Sequence, residues 1–173
     1  MNRVVGIEEV KKICAEARRE GKVIVFTNGC FDILHPGHIE ILEKAKSFGD
    51  ILIVGLNTDN SIKQFKSPAR PIFSQADRAR VLSAISYVDY IVLFDDPTPQ
   101  KLIEDIKPDV LVKGGDYKKD EVVGREVAGR VELVPLLPGY STTEVMNKIA
   151  RLQIKNLKEL FPTKRLKRGR KST

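Results

Sequence analysis

Five short apolar runs alternate with segments of helical periodicity, and that alternation constrains the fold of this 173-residue chain more than any other feature. Residues 23–26, 51–57, 90–94, 110–112 and 131–134 are mainly apolar runs rich in β-branched side chains, the pattern of strands buried on both faces. Residues 7–20 place Ile7, Val10, Ile13, Cys14 and Ala17 at helical spacing, and Gly21 ends the segment. Further helices are predicted over 37–48, from a cap at Thr58 or Asp59 to 65, over 75–85 behind Ser74, from a cap at Thr98 to 106, and onward from Ser141. Residues 66–71 hold two prolines and read as a loop. Strand and helix in regular alternation imply an α/β fold: one domain built on a doubly wound parallel sheet covered on both faces.

In such a sheet ligands sit beyond the carboxyl ends of the strands, where strand order reverses. Three segments fall at such ends: TNGCFDILHPGH after the first strand, KGGDY after the fourth, and PGYSTT after the fifth. They are also the segments with unusual chemistry, and this agreement is the first argument for an enzyme.

The two histidines of the chain, His35 and His38, stand three residues apart around Pro36 and Gly37. A predicted strand precedes them and a predicted helix begins between them. A helix start presents free N–H groups and a partial positive charge, which suits phosphate. Gly37 permits close approach of the backbone to an anion. Two imidazoles there can donate hydrogen bonds as negative charge builds up on phosphate oxygens. Two histidines at this spacing also fit part of a metal site, but no cysteine is suitably placed, and Asp32 is the one nearby carboxylate. Ser141 suits a plain helix cap as well as an anion site, because the two occupy the same place.

Composition narrows the class further. With 42% apolar and 31% charged residues the chain suits a globular protein with a real core. The absence of a long apolar run and of a signal-peptide pattern leads to the expectation of a cytoplasmic protein without membrane contact. Cys14 and Cys30 have neither disulfide-framework nor C-x-x-C spacing and read as small, partly buried residues. The net charge of +7 is unevenly placed: residues 151–173 carry +8, leaving −1 for the first 150. A nucleic-acid-binding module is therefore supported by the basic end alone, and any such binding is expected to be weak and salt-sensitive. The expected organisation is an N-terminal helix over 1–21, the catalytic domain over 22–150, and a helix end with a partly disordered basic tail over 151–173.

The stretch TNGCFDILHPGHIEIL resembles the first signature of the cytidylyltransferase-like nucleotidyltransferases, Rossmann-like enzymes with an H-x-G-H motif, and STT at Ser141–Thr143 resembles their second. RPIFSQADRARVL, TPQKLI and VKGGDY resemble the branch that adenylylates heptose 1-phosphate. The resemblance implies transfer of AMP from ATP to a sugar 1-phosphate with release of pyrophosphate, helped by Mg2+ or another divalent cation. Glycerol-3-phosphate cytidylyltransferases and FAD synthetases share the motif and are the alternatives within the class. It also implies a homodimer and a sugar kinase, here expected as a separate protein.

Residue by residue, the resemblance implies that His35 and His38 contact the triphosphate and stabilise the transition state, with Lys66 as a further catalytic cation and Arg70 as a weaker candidate. Thr27, Asn28, Gly29, Cys30 and Phe31 would lie along the nucleotide, with Gly37 beneath the phosphates. Asp32 would orient the loop or hold magnesium through water. Arg78 would hold a phosphate or pair with a carboxylate such as Asp77. Lys113, Gly114, Gly115 and Asp116 would lie by the adenine and ribose, and Ser141, Thr142 and Thr143 would bind the β- and γ-phosphates. LLPGYSTT lacks the arginine that some relatives carry before the second signature, which disfavours a cytidylyltransferase reading patterned on them.

Overall fold

A computed structural model describes residues 3–66, 69–115 and 118–160, with side chains described as far as residue 154. The elements follow in the order α1 (Ile7–Arg19), β1 (Ile24–Gly29), α2 (Pro36–Ser47), β2 (Ile51–Asn57), α3 (Asp59–Phe65), α4 (Gln75–Ser83), β3 (Tyr90–Phe94), α5 (Gln100–Ile106), β4 (Val110–Gly114), a 3-10 turn (Lys119–Glu121), β5 (Arg130–Val134) and α6 (Thr142–Leu160). All five strands pair in parallel in the order β3-β2-β1-β4-β5. The chain thus builds outward from β1 to β3, then returns through α5 to lay β4 on the other side of β1. Strand order reverses between β1 and β4, as a doubly wound sheet requires.

Alternate strand residues point to opposite faces, and each face has its own core. On one, Ile24, Phe26, Ile53, Val92 and Leu111 pack with Val10, Cys14 and Ala17 of α1 and Leu102, Ile103 and Ile106 of α5. On the other, Val25, Leu52, Val54, Ile91 and Val112 pack with Leu42 and Ala45 of α2 and Ala79 and Leu82 of α4.

Helix starts are fixed locally. The Thr58 and Ser74 hydroxyls accept from the N–H groups of Ser61 and Asp77 and cap α3 and α4. The cap expected from Thr98 is not made: α5 begins behind Pro99, with no side-chain cap bond, since proline readily opens a helix. The first strand also runs further than the apolar run. Thr27, Asn28 and Gly29 stay in β1 because they pair with Val54, Gly55 and Leu56, and Thr27 also pairs with Val112 on the other side. Neighbours on both sides override weak local strand preference. The basic tail over 161–173 lies outside the described residues. No helix among the described residues is long and apolar enough to cross a membrane.

Gly55, mid-way along β2, shows how tightly the layers meet. A Cβ there would stand 2.7 Å from Phe26 Cζ and 3.2 Å from Leu102 Cδ2, both in the core against α5. Gly55→Ala is therefore expected to destabilise the fold by about 1–3 kcal/mol through overpacking, read as a lower midpoint in urea with an unchanged slope.

Candidate active site

The carboxyl ends of β1 and β4 diverge, and two adjoining cavities open there. The first, about 300 Å³, is walled by Thr27, Asn28, Gly29 and Phe31, by His35, Gly37, His38 and Ile41 of the α2 start, by Lys66, Lys113 and Gly114, and by Leu136 and Tyr140 through Thr143 at the α6 start. The second, about 400 Å³, shares Asn28, Gly29, Lys66 and Lys113 and adds Cys30, Asn57, Phe65, residues 97–99 and residues 121–123, with Leu111 at its base. The structure therefore brings together both histidines, both lysines and the Ser-Thr-Thr segment.

The histidines occupy the first turn of α2. His35 is the cap residue in extended conformation, Pro36 opens the helix, and the His38 N–H donates to the His35 carbonyl at 2.9 Å. Their rings stack with centroids 3.8 Å apart and planes 23° apart. Phe31, held at φ 45° in the left-handed region, sets its ring 5.1 Å from that of His38. A bulky residue in that region carries strain, which the surrounding bonds must sustain.

Both Nδ1 atoms are buried without a hydrogen-bond partner among the described residues. Such orphans are costly and persist where a ligand completes them. Burial lowers the pKa of His35, and burial, then His35, then Lys66 lower that of His38 to about 4. Near neutral pH the pair is uncharged, so it serves as hydrogen-bonding groups rather than as two fixed cations.

The two helix starts converge. A Cβ at Gly37 would lie 3.1 Å from His35 Nδ1 and 3.4 Å from the Tyr140 carbonyl oxygen, so only glycine leaves this cleft open. Ser141 Oγ accepts from the Glu144 N–H at 3.0 Å and is the α6 cap, with Thr142 and Thr143 in the first turn. Two helix N-termini facing one cavity make an anion site of backbone N–H groups and hydroxyls.

Lys113, near the end of β4, sets its Nζ 3.5 Å from Asn28 Oδ1, and burial lowers its pKa. It lies on both cavities, at their junction, rather than on the far side of either. Lys66 follows α3, is exposed, and also borders both. Gly115, at φ 129°, donates its N–H to the Val134 carbonyl and ties the turn after β4 to β5. Asp116 lies outside the described residues.

At two residues the structure selects between the expected roles. Asp32 takes the first of its two expected roles, orienting the loop, rather than the second, holding magnesium. It is buried, its Oδ2 accepts from Arg70 Nε at 2.5 Å, and its Oδ1 accepts from the Ile72 and Phe73 N–H groups at 2.8 and 3.0 Å. Arg78 takes the second of its two expected roles, pairing with a carboxylate, and that carboxylate is Asp59 rather than Asp77. Its side chain is fully buried and donates to the carbonyls of Phe73, Cys30 and Asn57 and to Asp59 Oδ1, at 2.5–3.1 Å. Both residues hold the loops that carry the site. Among the described residues no group of three or more His, Cys, Asp or Glu could cage a metal. Sequence reasoning missed Asn57, Ile41 and Tyr140. Asn57 alone left a signal, as a polar residue closing an apolar run.

Removing the Arg78 guanidinium strands three carbonyls and a carboxylate. Arg78→Met is expected to cost about 3–5 kcal/mol in urea unfolding. The buried imidazole sets a second expectation. An unfolded histidine binds its proton near 6.5, the folded His38 only near 4. The unfolded state therefore takes up more protons between those values, and stability, complete above about pH 6.5, falls as pH drops toward 4. Melting temperatures followed from pH 7.5 to 4.5 should fall less steeply for His38→Asn than for the parent; parallel curves would mean that His38 titrates normally.

Comparison with known proteins agrees with this geometry. The family described as Cytidylyltransferase-like matches residues 26–162. The bifunctional protein HldE of Syntrophotalea carbinolica is 49% identical over 146 residues, which cover 82% of this chain and 30% of that protein. HldE of Wolinella succinogenes is 54% identical over 147 residues, covering 85% of this chain and 31% of the relative. The chain thus spans about a third of the length of these relatives. Among solved structures, a lipopolysaccharide core biosynthesis protein from Thermoplasma volcanium superposes with a TM-score of 0.55 at 29% identity, over 68% of this chain and 98% of that one. A pantoate-beta-alanine ligase from Francisella tularensis, 17% identical, shares the fold with a TM-score of 0.57 over 89% of this chain and 80% of its own. By its signature segments, its sheet and this match over most of its length, the chain belongs to the cytidylyltransferase-like family of nucleotidyltransferases.

Proposed function

We propose that the chain is an adenylyltransferase that moves AMP from ATP to a heptose 1-phosphate, yielding an ADP-sugar and pyrophosphate. The observation that carries the transfer chemistry is the stacked, uncharged pair His35–His38 at one helix start, whose Nδ1 atoms lack a hydrogen-bond partner among the described residues, sharing a cavity with the Ser141–Thr143 helix start. The sugar rests on the VKGGDY, TPQKLI and RPIFSQADRARVL segments, and on relatives named HldE at about 50% identity over this domain.

The reaction is a single in-line displacement. An oxygen of the sugar phosphate, already ionised near neutral pH, forms a bond to the α-phosphorus of ATP. The bond from that phosphorus to the oxygen bridging to the β-phosphate breaks, and pyrophosphate leaves with the electron pair. No general base is needed. The chain supplies position and charge complementarity. The Ser141–Thr143 helix start holds the β- and γ-phosphates, and His35 and His38 donate to oxygens whose charge grows in the transition state. Lys66 and Lys113 balance charge on the reacting phosphates. ATP would enter as its magnesium complex, the cation offsetting charge on the phosphates, while Asp32, the carboxylate nearest the histidines in sequence, stays paired with Arg70.

Purified protein given ATP, magnesium and a heptose 1-phosphate should release pyrophosphate and form the ADP-sugar. Turnover confined to CTP with glycerol 3-phosphate would overturn the substrate assignment and leave the transfer chemistry standing. His38→Ala should lower kcat by about two to three orders of magnitude with little change in ATP affinity, since its bond strengthens only as charge develops. Near-normal kcat in that variant would make His38 a purely structural residue of the first turn of α2.

A further inference from the structure

The fold leaves one long helix largely bare. Helix α6 has 19 residues, and only its start lines the anion site. Met146 still meets the body, its sulfur 3.3 Å from Arg70 Nη1. Every residue from 147 to 154 is exposed, with Ile149, Leu152 and Ile154 at 50, 53 and 54%. Exposure of successive residues through about two turns means that no described segment packs along any side of this stretch. A helix in a protein gains most of its stability by burying an apolar face, and here that face has no cover among the described residues.

The sequence along α6 is sorted by side. Lys148, Arg151, Lys155 and Lys158 follow at spacings of three and four, which sets these positions on one side of the helix. Ile149 lies on the opposite side, with Leu152 and Ile154 at the two borders of the apolar face. Lys148 neighbours Leu152 at i,i+4 and Arg151 neighbours Ile154 at i,i+3, so an exposed cation stands at each border. Charge follows the same direction along the chain, with +8 on residues 151–173 against −1 on the first 150.

Three kinds of partner could meet such a helix, and the pattern selects among them. Val145, Ile149 and Leu152 begin a coiled-coil seam, but its next positions are Asn156 and Glu159, so apolar contact with a second α6 would stop after one repeat. A nucleic acid would use the cations and leave three apolar side chains in water. A broad apolar face bordered by lysine and arginine is the pattern of a helix lying in the headgroup boundary of a bilayer.

We propose that α6 is a membrane-surface helix: Ile149, Leu152 and Ile154 enter the headgroup boundary of an anionic lipid bilayer, and Lys148, Arg151 and the cations that follow them in sequence meet its phosphates. This departs from the expectation of no membrane contact, which rested on the lack of a spanning run; a surface helix needs none. The docking stretch begins about one turn after Thr143, and its residues are not among those that wall the anion cavity.

The test is co-sedimentation of the full chain with vesicles, either of phosphatidylglycerol and phosphatidylcholine in equal parts or of phosphatidylcholine alone. The parent should sediment with the anionic vesicles and partition about tenfold or more weakly onto phosphatidylcholine. Ile149→Ser combined with Leu152→Ser keeps every charge and alters only exposed positions. The double variant should keep the parent's urea midpoint and partition about a hundredfold more weakly onto anionic vesicles, about tenfold for each apolar side chain. Equal partition of the double variant and the parent would reduce the contact to charge alone and overturn the role of the apolar face. A parent that sediments with neither vesicle overturns the proposal outright. In that case a dimer in sedimentation equilibrium that the double variant loses names a second copy as the occupant, and salt-sensitive binding to single-stranded RNA that the double variant keeps names nucleic acid. Vesicle binding is read without substrates, so its failure is distinct from failure of the adenylyltransferase reading.

Discussion

The site depends on one buried cation. The Arg78 guanidinium, on α4, lies wholly out of water and is tolerated there because three carbonyls and the Asp59 carboxylate surround it. Those partners belong to separate pieces of chain. Cys30 follows β1, Asn57 ends β2, Asp59 begins α3, and Phe73 precedes α4. One planar group thus fastens the carboxyl ends of two central strands to the segment that carries Lys66. Asp32 mirrors it with the opposite charge, binding Arg70 and two N–H groups of the same loop. The turn between β1 and α2 is gripped from both sides, which is how it sustains Phe31 in a left-handed conformation beneath the histidines.

The sheet order explains why two cavities adjoin. Chain direction away from β1 reverses between β1 and β4, so no crossover helix covers the gap above their carboxyl ends. Residues from the ends of these two strands, Asn28, Gly29 and Lys113, consequently face both cavities. A reaction that joins two substrates needs such a shared wall, and here the topology supplies it before any side chain is chosen.

Much of this was legible in the sequence because its causes are local. The runs at 51–57 and 90–94 coincide with β2 and β3, since each is a mainly apolar stretch between turn signals. His35, Pro36, Gly37 and His38 announced a helix start. What failed to show has non-local causes. Thr27–Gly29 read as loop, because pairing with β2, and for Thr27 also with β4, makes them strand against local preference. For Arg78 and Asp32 a ligand role and a structural role both stayed open, because charge is visible in a sequence, whereas the carbonyls and N–H groups that consume it come from as far as 48 residues away. Lys113 was found, but its place between two cavities follows only from the strand order. Asn57 stood in plain view at the end of β2, and its significance required knowing that α3 and the 3-10 turn close a second space beside it.

The stacked imidazoles carry a further consequence. Each is kept neutral by lack of water and, for His38, by the repulsion of its neighbours. A triphosphate seated against them would reverse that balance, because a polyanion favours the protonated ring. Binding of the nucleotide and uptake of protons then become one coupled equilibrium. The heat of binding on the acid side of neutrality would depend on the ionisation enthalpy of the buffer, and affinity would rise as the solution is acidified while the fold still holds.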